Sequence, residues 1–309
     1  MDIAMLVNPT SGRGRAQATA HDVRAALENA HHRVEIHQFK SPENLAGDLL
    51  VIVGGDGTVH HLLPVAAKLG IPAWQVPMGT ENLFARHFGM TRDPELLVRS
   101  IAAMRVEAVD LGEMRVLDGP GVSPGDISPQ AAVTRPGRHF VLMLSLGPDA
   151  GVVKRLAAAR RGAIRHSSYV APIMREAFTP SLAPVTIDVD GQRIVDGRRG
   201  LLVVANSCQY GVRLNPCPRA SMSDGLLDLA FFPAGTSLEV MAWALRCRRG
   251  SHIDSRRLVC RTGRDIRVQC DSGEMPMQLD GESAGGISAP QELAIGVNPG
   301  AVKVLRGVD

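Results

Sequence analysis

Val51-Ile52-Val53 runs straight into Gly54-Gly55-Asp56-Gly57-Thr58, and a helical pattern comes at once after it. Glycines let a backbone approach a polyanion closely, and the amide hydrogens at the start of a helix favour negative charge. The plain alternative is an ordinary strand-to-helix turn with Asp56 or Thr58 as its cap. A carboxylate and a hydroxyl set among three glycines favour phosphate binding over that alternative. Two more loops share this character, Asn8-Pro9-Thr10-Ser11-Gly12-Arg13-Gly14 and Pro77-Met78-Gly79-Thr80-Glu81-Asn82. Each comes after an apolar run, and in an open α/β sheet ligands bind outside the carboxyl ends of the strands. The three loops together describe a nucleotide pocket using Asn8, Pro9, Ser11, Gly12, Gly54, Gly55, Asp56, Gly57, Thr58, Gly79, Thr80 and Asn82. The pattern Gly-x-x-x-x-Gly-Lys-Ser/Thr is absent. Gly12 and Gly14 alone are weak support for a dinucleotide fold, because the second strand ends His37-Gln38-Phe39 without an acidic residue.

The elements that must carry these loops can be read from periodicity. Residues 1–112 alternate short apolar runs (Ile3–Val7, Val34–Phe39, Leu49–Val53, Ala73–Val76) with helical stretches (Arg15–Asn29, Val59–Lys68, Pro94–Met104). That alternation predicts a doubly wound α/β domain. After Asp110 the pattern changes. Residues 118–138 have loop composition, and most of the chain beyond them reads as strands. These are His139–Leu146, Val185–Asp190, Leu201–Ala205, Leu226–Phe232, Arg264–Cys270, Met277–Leu279, Glu292–Val297 and Val302–Leu305. Asp190-Gly191 and Asp280-Gly281 are good tight-turn dipeptides. Two helical stretches, Asp149–Phe178 and Leu238–Arg248, interrupt the strands. Residues 113–309 are therefore expected to form a β-rich, mostly antiparallel, sandwich-like second domain.

A chain of 309 residues is long enough for two domains and needs no disulfide or metal staple to fold. Apolar residues make up 45% and charged residues 21%, which excludes a disordered chain. A net charge of +3 and 4% aromatics give no nucleic-acid-binding signature. No apolar run approaches the roughly 18 residues that span a bilayer. The first residues read as a buried strand rather than a signal peptide, and five cysteines without Cys-x-x-Cys spacing read as reduced thiols. A cytoplasmic protein is the expectation.

Asn8-Pro-x-Ser-Gly-x-Gly14, Gly54-Gly-Asp-Gly-Thr58 and Pro77-x-Gly-Thr-x-Asn82-x-x-Ala-Arg86 resemble the diacylglycerol kinase catalytic domain, in a superfamily of bacterial lipid kinases, sphingosine kinases and ceramide kinases distantly related to NAD kinases. The likeness continues through Ser145-x-Gly-x-Asp149-Ala150, through Asn206, Gly211, Pro218 and Ala220, and through Asp224-Gly-Leu-Leu-Asp228 to Leu279-Asp280-Gly281-Glu282. It implies an NAD kinase-like nucleotide-binding domain joined to a lipid-binding domain, with residues 291–309 packing back on the first, and with ATP and Mg²⁺ as cofactors. Asp280 would be the general base that takes the proton of a lipid hydroxyl, with Glu282 orienting or coordinating beside it. One carboxylate accepting a hydroxyl proton suits phosphoryl transfer, which is otherwise positioning and charge neutralisation. Taken alone, Asp280-Gly281 reads equally as a hairpin turn. Asp56 would help place Mg²⁺ at the phosphates, and a second, structural metal would be held by Asp224 and the backbones of Ser221 and Leu226. A solvated turn competes with that last assignment. Asp280→Asn is expected to remove transfer while leaving the fold nearly intact.

Several positions depart from the family pattern. His60 and His61 stand where an Asn-Glu pair is usual; adjacent residues do not share a helix face, so packing or capping suits them better than a metal. Glu81 adds negative charge beside the presumed phosphates unless a cation or Arg86 balances it. Pro148 replaces an aromatic, and Ser41–Asp48 is short for the second helix. The expected partners are a lipid with a free hydroxyl, a membrane surface contacted peripherally, and a second copy of the chain. Basic residues from Lys154 to His166 suit anionic headgroups, as they would also suit a solvated face. The competing functions are NAD kinase-like phosphorylation of a soluble hydroxyl and a catalytically silent nucleotide or lipid sensor.

Overall fold

The computed structural model describes residues 1–39, 45–117, 137–158 and 180–308. Part of the short Ser41–Asp48 stretch, most of the stretch 118–138 expected as a loop, and the expected helical stretch beyond Ala158, with the basic residues from Arg160 to His166, lie outside them. The described residues divide into two compact units, 1–110 with 300–308, and 111–158 with 180–299.

The first unit holds β1 (Asp2–Val7), α1 (Ala16–Asn29), β2 (Arg33–Gln38), β3 (Leu49–Gly54), α2 (Asp56–Leu69), β4 (Ala73–Pro77), α3 (Leu83–His87), α4 (Pro94–Ala103) and the start of β5 (Val106–Leu117). Its strands run parallel in the order β2-β1-β3-β4, with Ile3 beside Leu49 and Leu50 beside Ala73. Every residue of β3 is buried, as a parallel strand covered on both faces requires. α1 presents Ala16, Ala20, Val23 and Leu27 to the core at helical spacing. This parallel order puts the ends of β1, β3 and β4, and hence the three glycine-containing loops, on one edge of one sheet.

The second unit continues with β6 (Arg138–Phe140), β7 (Met143–Leu146), α5 (Pro148–Ala158), β8 (Pro184–Val189), β9 (Gln192–Ala205), β10 (Leu227–Pro233), α6 (Ser237–Arg249), β11 (Val259–Gly263), β12 (Asp265–Cys270), β13 (Glu274–Leu279), β14 (Glu282–Ser288) and β15 (Glu292–Leu305). β9 pairs with β8 over its first half and with β7 and β10 over its second, so it belongs to two sheets in turn. Phe140, Leu144, Ile187, Leu202, Phe231, Ile266 and Met277 are among the residues that fill the core between the layers. α6 packs on an outer face through Trp243 and Cys247, against Phe232 and Ala230.

Three differences from the sequence reading have physical causes. The run His139–Leu146 is two strands, because the peptides of Val141 and Leu142 are bonded to the Asp280 and Asn206 side chains instead. The two final apolar runs are one strand, β15, carried through Asn298-Pro299-Gly300; its end passes into the first unit, where Val304 pairs with Ala73. β14 was not expected. Its Glu-Ser-Ala-Gly-Gly-Ile-Ser has poor strand propensity, and it forms by pairing with β13. β5 and β11 were also missed.

Candidate functional site

In the first unit the three loops are tied to one another by their own polar groups. Asn8 donates from Nδ2 to Thr58 Oγ1 (2.9 Å), and its Oδ1 accepts from both the peptide and the hydroxyl of Thr10. The loop after β1 is thereby held to the first turn of α2. Gly55 caps α2 with φ −90° and ψ −174°, so it is not a left-handed position. It is glycine because a Cβ there would lie 3.0 Å from the Cα of Gly79. A side chain at Gly79 would in turn meet Gly55 Cα and Asn82 Oδ1, each at 2.9 Å. The loops after β3 and β4 therefore touch backbone to backbone. Asn82 locks the second of them by accepting from Gly79 N–H (2.7 Å) and donating to Gly79 O (2.9 Å).

Asp56 opens α2, where a helix N-terminus presents amide hydrogens, and its Oδ1 accepts from Phe84 N–H at 3.3 Å. Gln75 was not singled out by the sequence reading, although a polar residue inside an otherwise apolar strand was a usable signal. It is fully buried, donates to Gly54 O (3.0 Å) and accepts from Ala85 N–H (2.9 Å). It therefore sets the end of β3 against α3. Arg86 lies 3.8 Å from Glu81, supplying the balancing charge that this loop needs. Of the two histidines, His60 is buried and His61 exposed, with their rings edge to face at 5.1 Å.

In the second unit Asp280-Gly281 is the two-residue turn between β13 and β14, with φ of 50° and 84°. Positive φ at both positions is the hairpin geometry that an Asp-Gly pair serves. Asp280 does more than turn the chain. It is 8% exposed, and its carboxylate accepts from the N–H groups of Val141 (2.8 Å), Leu142 (2.7 Å) and Met143 (2.9 Å). Asn206 holds the same segment from its carbonyl side, donating from Nδ2 to Val141 O and from its peptide to Leu142 O. These bonds take the place of ladder pairing at Val141 and Leu142, the two residues that separate β6 from β7. Glu282 opens β14 opposite Leu279 and is half-buried.

A polar chain backs the turn. Gly281 N–H donates to Gln278 Oε1 (2.7 Å), Gln278 Nε2 to Ser145 Oγ (2.8 Å), and Ser145 Oγ to Asp149 Oδ2 (2.5 Å). The Tyr210 hydroxyl donates to the same Asp149 oxygen. Burial pushes the Asp149 carboxyl above its ordinary range, against the pull of its hydrogen bonds. Burial, with the charge of Asp149, holds the Tyr210 hydroxyl well above its own.

The loop before β10 carries the residues expected at a structural metal. Asp224 is exposed and accepts from Leu226 N–H (3.0 Å), and Ser221 Oγ accepts from Ser223 N–H (3.3 Å). No group of three or more His, Cys, Asp or Glu side chains able to hold a metal occurs among the described residues. A magnesium ion needs only one or two carboxylates when substrate oxygens complete its shell, so Asp56 fits such an ion as a single protein ligand.

Comparison with known proteins agrees with this layout. Residues 2–114 match the diacylglycerol kinase catalytic domain, and residues 143–306 match the YegS C-terminal NAD kinase beta sandwich-like domain. The diacylglycerol kinase of Mycobacterium tuberculosis strain H37Rv is 26% identical over 317 residues, covering 98% of this chain and 94% of that protein. The diacylglycerol kinase of Bacillus subtilis is 25% identical, covering 91% and 89%. Among solved structures, a diacylglycerol kinase from Bacillus anthracis superposes with a TM-score of 0.67 at 18% identity, over 99% of this chain and 97% of that one. Yeast NADH kinase complexed with NADH shares the fold at a TM-score of 0.55 and 12% identity, over 98% and 82%.

Proposed function

The chain belongs to the diacylglycerol kinase family and is a lipid kinase acting on an alcohol group, and we propose that it moves the γ-phosphoryl group of ATP, with Mg²⁺, to the hydroxyl of a diacylglycerol-like lipid. The observation that carries the reading is the joint match of both family models, which together span the two units.

The work divides between the units. The first holds the nucleotide: the Gly55–Gly79 approach keeps side chains away from the phosphates, and the α2 N-terminus offers them amide hydrogens. Asn8, Pro9, Ser11, Gly12, Gly54, Gly57, Thr58, Thr80 and Asn82 complete that cradle. Asp56 would be the protein ligand of Mg²⁺, which would supply neutralisation of the phosphate charge there. Asp224, with the backbones of Ser221 and Leu226, would hold a structural cation. In the second unit Asp280 accepts the proton of the lipid hydroxyl as the oxygen attacks, and Glu282 orients that hydroxyl. The three peptide N–H donors keep the Asp280 carboxylate from turning away, so the base is preorganised. The protein works at the surface of the membrane that holds its substrate. No helix among the described residues is long and apolar enough to cross a membrane.

Purified protein with labelled ATP and a panel of diacylglycerol, monoacylglycerol, sphingosine, ceramide and phosphatidylglycerol tests the proposal. Label should pass to diacylglycerol and require Mg²⁺. Transfer to sphingosine or ceramide alone would overturn the acceptor, and transfer to none of them the function.

A further inference from the structure

α6 buries one side and shows an apolar stripe on the other. Trp243 and Cys247 face the sheet, with Trp243 Nε1 donating to Pro233 O at 2.9 Å. On the opposite side Leu238, Met241 and Leu245, at helical spacing, are 78%, 54% and 48% exposed. A soluble surface helix usually carries polar residues there. The stripe runs toward the helix C-terminus, where Arg248 and Arg249 line a cavity of about 380 Å³ together with Arg213, His252 and Ile253. Ile253 is itself 52% exposed.

The charge at this end is one-sided. Residues 237–257 contain five arginines (246, 248, 249, 256 and 257) against two acids, Glu239 and Asp254. Glu239 is taken by Arg257 at 2.7 Å, and Arg246 lies over the Trp243 ring. The guanidinium groups of Arg213, Arg248 and Arg249 have no hydrogen-bond or ion-pair partner among the described residues.

We propose that the Leu238–Met241–Leu245 face of α6, with Arg213, Arg248 and Arg249 at its end, is the surface by which the protein docks on an anionic phospholipid membrane. The proposal rests on the reading that the acceptor is a lipid. A bilayer surface accepts both halves of the patch at once. Leucine and methionine enter below the headgroups while guanidinium groups stay at the phosphates, the arrangement of an interfacial amphipathic helix.

Vesicle co-sedimentation tests it, using phosphatidylcholine alone and phosphatidylcholine with about 30% phosphatidylglycerol. Wild-type protein should prefer the anionic vesicles and lose that preference as salt rises. The triple variant Leu238→Ser, Met241→Ser, Leu245→Ser should bind both vesicles at least about tenfold more weakly. Arg248→Gln with Arg249→Gln should lose about 25-fold on anionic vesicles only, about fivefold for each arginine. All five positions are exposed, and circular dichroism checks that the variants fold. Independently, Leu238→Trp should shift its emission to the blue on anionic vesicles, against the buried Trp74 and Trp243.

Wild-type binding by both variants, no vesicle binding by the wild type, or an unshifted Trp emission would overturn the proposal. So would a serine variant that changes only from dimer to monomer in sedimentation velocity, since the stripe would then be covered by a second copy. Turnover of a water-soluble, short-chain diacylglycerol should be unchanged in both variants. If the wild type turned over no lipid yet bound anionic vesicles through this face, the kinase reading would fall and the docking surface would stand.

Discussion

The Asp280 carboxylate receives three peptide N–H donors, and that changes what its substitution should do. Asparagine has one acceptor oxygen, so in Asp280→Asn at least one of these buried N–H groups faces an amide NH₂, costing about 1–3 kcal/mol of stability. Turnover should fall about 10²- to 10⁴-fold as the base is lost. Asn206→Ala separates the two effects, because it loosens the same Val141–Leu142 segment and leaves the carboxylate in place. It should lower the melting temperature comparably and keep most of the turnover. Asp280→Asn retaining more than half the wild-type rate would remove Asp280 from the role. Asp149 gives a pH prediction. Burial raises its folded-state pKa above the unfolded value, so the fold favours the neutral carboxyl. Its contribution to stability is fully present below the unfolded value of about 3.9 and is lost as pH rises through the folded one. Asp149→Asn has no such ionisation. The urea midpoint of the variant should gain on the wild type as pH rises from about 4 and then level off. Parallel curves would mean that the carboxyl ionises at its ordinary pKa.

At the scale of elements, the loops after β3 and β4 are joined by the contact of Gly55 with Gly79. Gly55→Ala places a methyl 3.0 Å from the Gly79 Cα, where backbone rather than a flexible side chain must give way. The effect is steric, since Gly55 has negative φ. The expected result is a folded protein whose affinity for a non-hydrolysable ATP analogue falls at least about tenfold in calorimetry, and further for Gly55→Val. Unchanged affinity in either would show that the two loops form only a turn. Gln75 ties the end of β3 to α3 from beneath, through Gly54 O and Ala85 N–H.

At the scale of the molecule, the last residues of β15 belong to the first unit. Val302, Val304 and Leu305 are 1% exposed or less, and Val304 pairs with Ala73 on β4. Fully burying each such side chain is worth about 1.5–3 kcal/mol, and a domain's whole stability is about 5–15 kcal/mol. Deleting residues 300–309 should therefore leave the first unit without cooperative unfolding, read as lost hydrogen-exchange protection on β4. Retained protection there would show that the parallel strands suffice alone.

Features that depend on near neighbours are legible in the order of residues alone. Leu49–Val53 shows its burial in its own composition, α1 in its spacing, and both Asp-Gly turns in their dipeptides. Motif order extended this to the family, because each glycine loop is written within a few consecutive residues. Contacts between distant residues are set by the folded chain. Asp280 reaches back 139 positions to Val141, and that bond divides a run that reads as one strand. The need for glycine at position 55 arises from a backbone 24 residues away, and β14 becomes a strand only beside β13. The ladder partner, the buried acceptor and the steric neighbour that fix these choices are brought into contact by the fold, so local pattern cannot announce them.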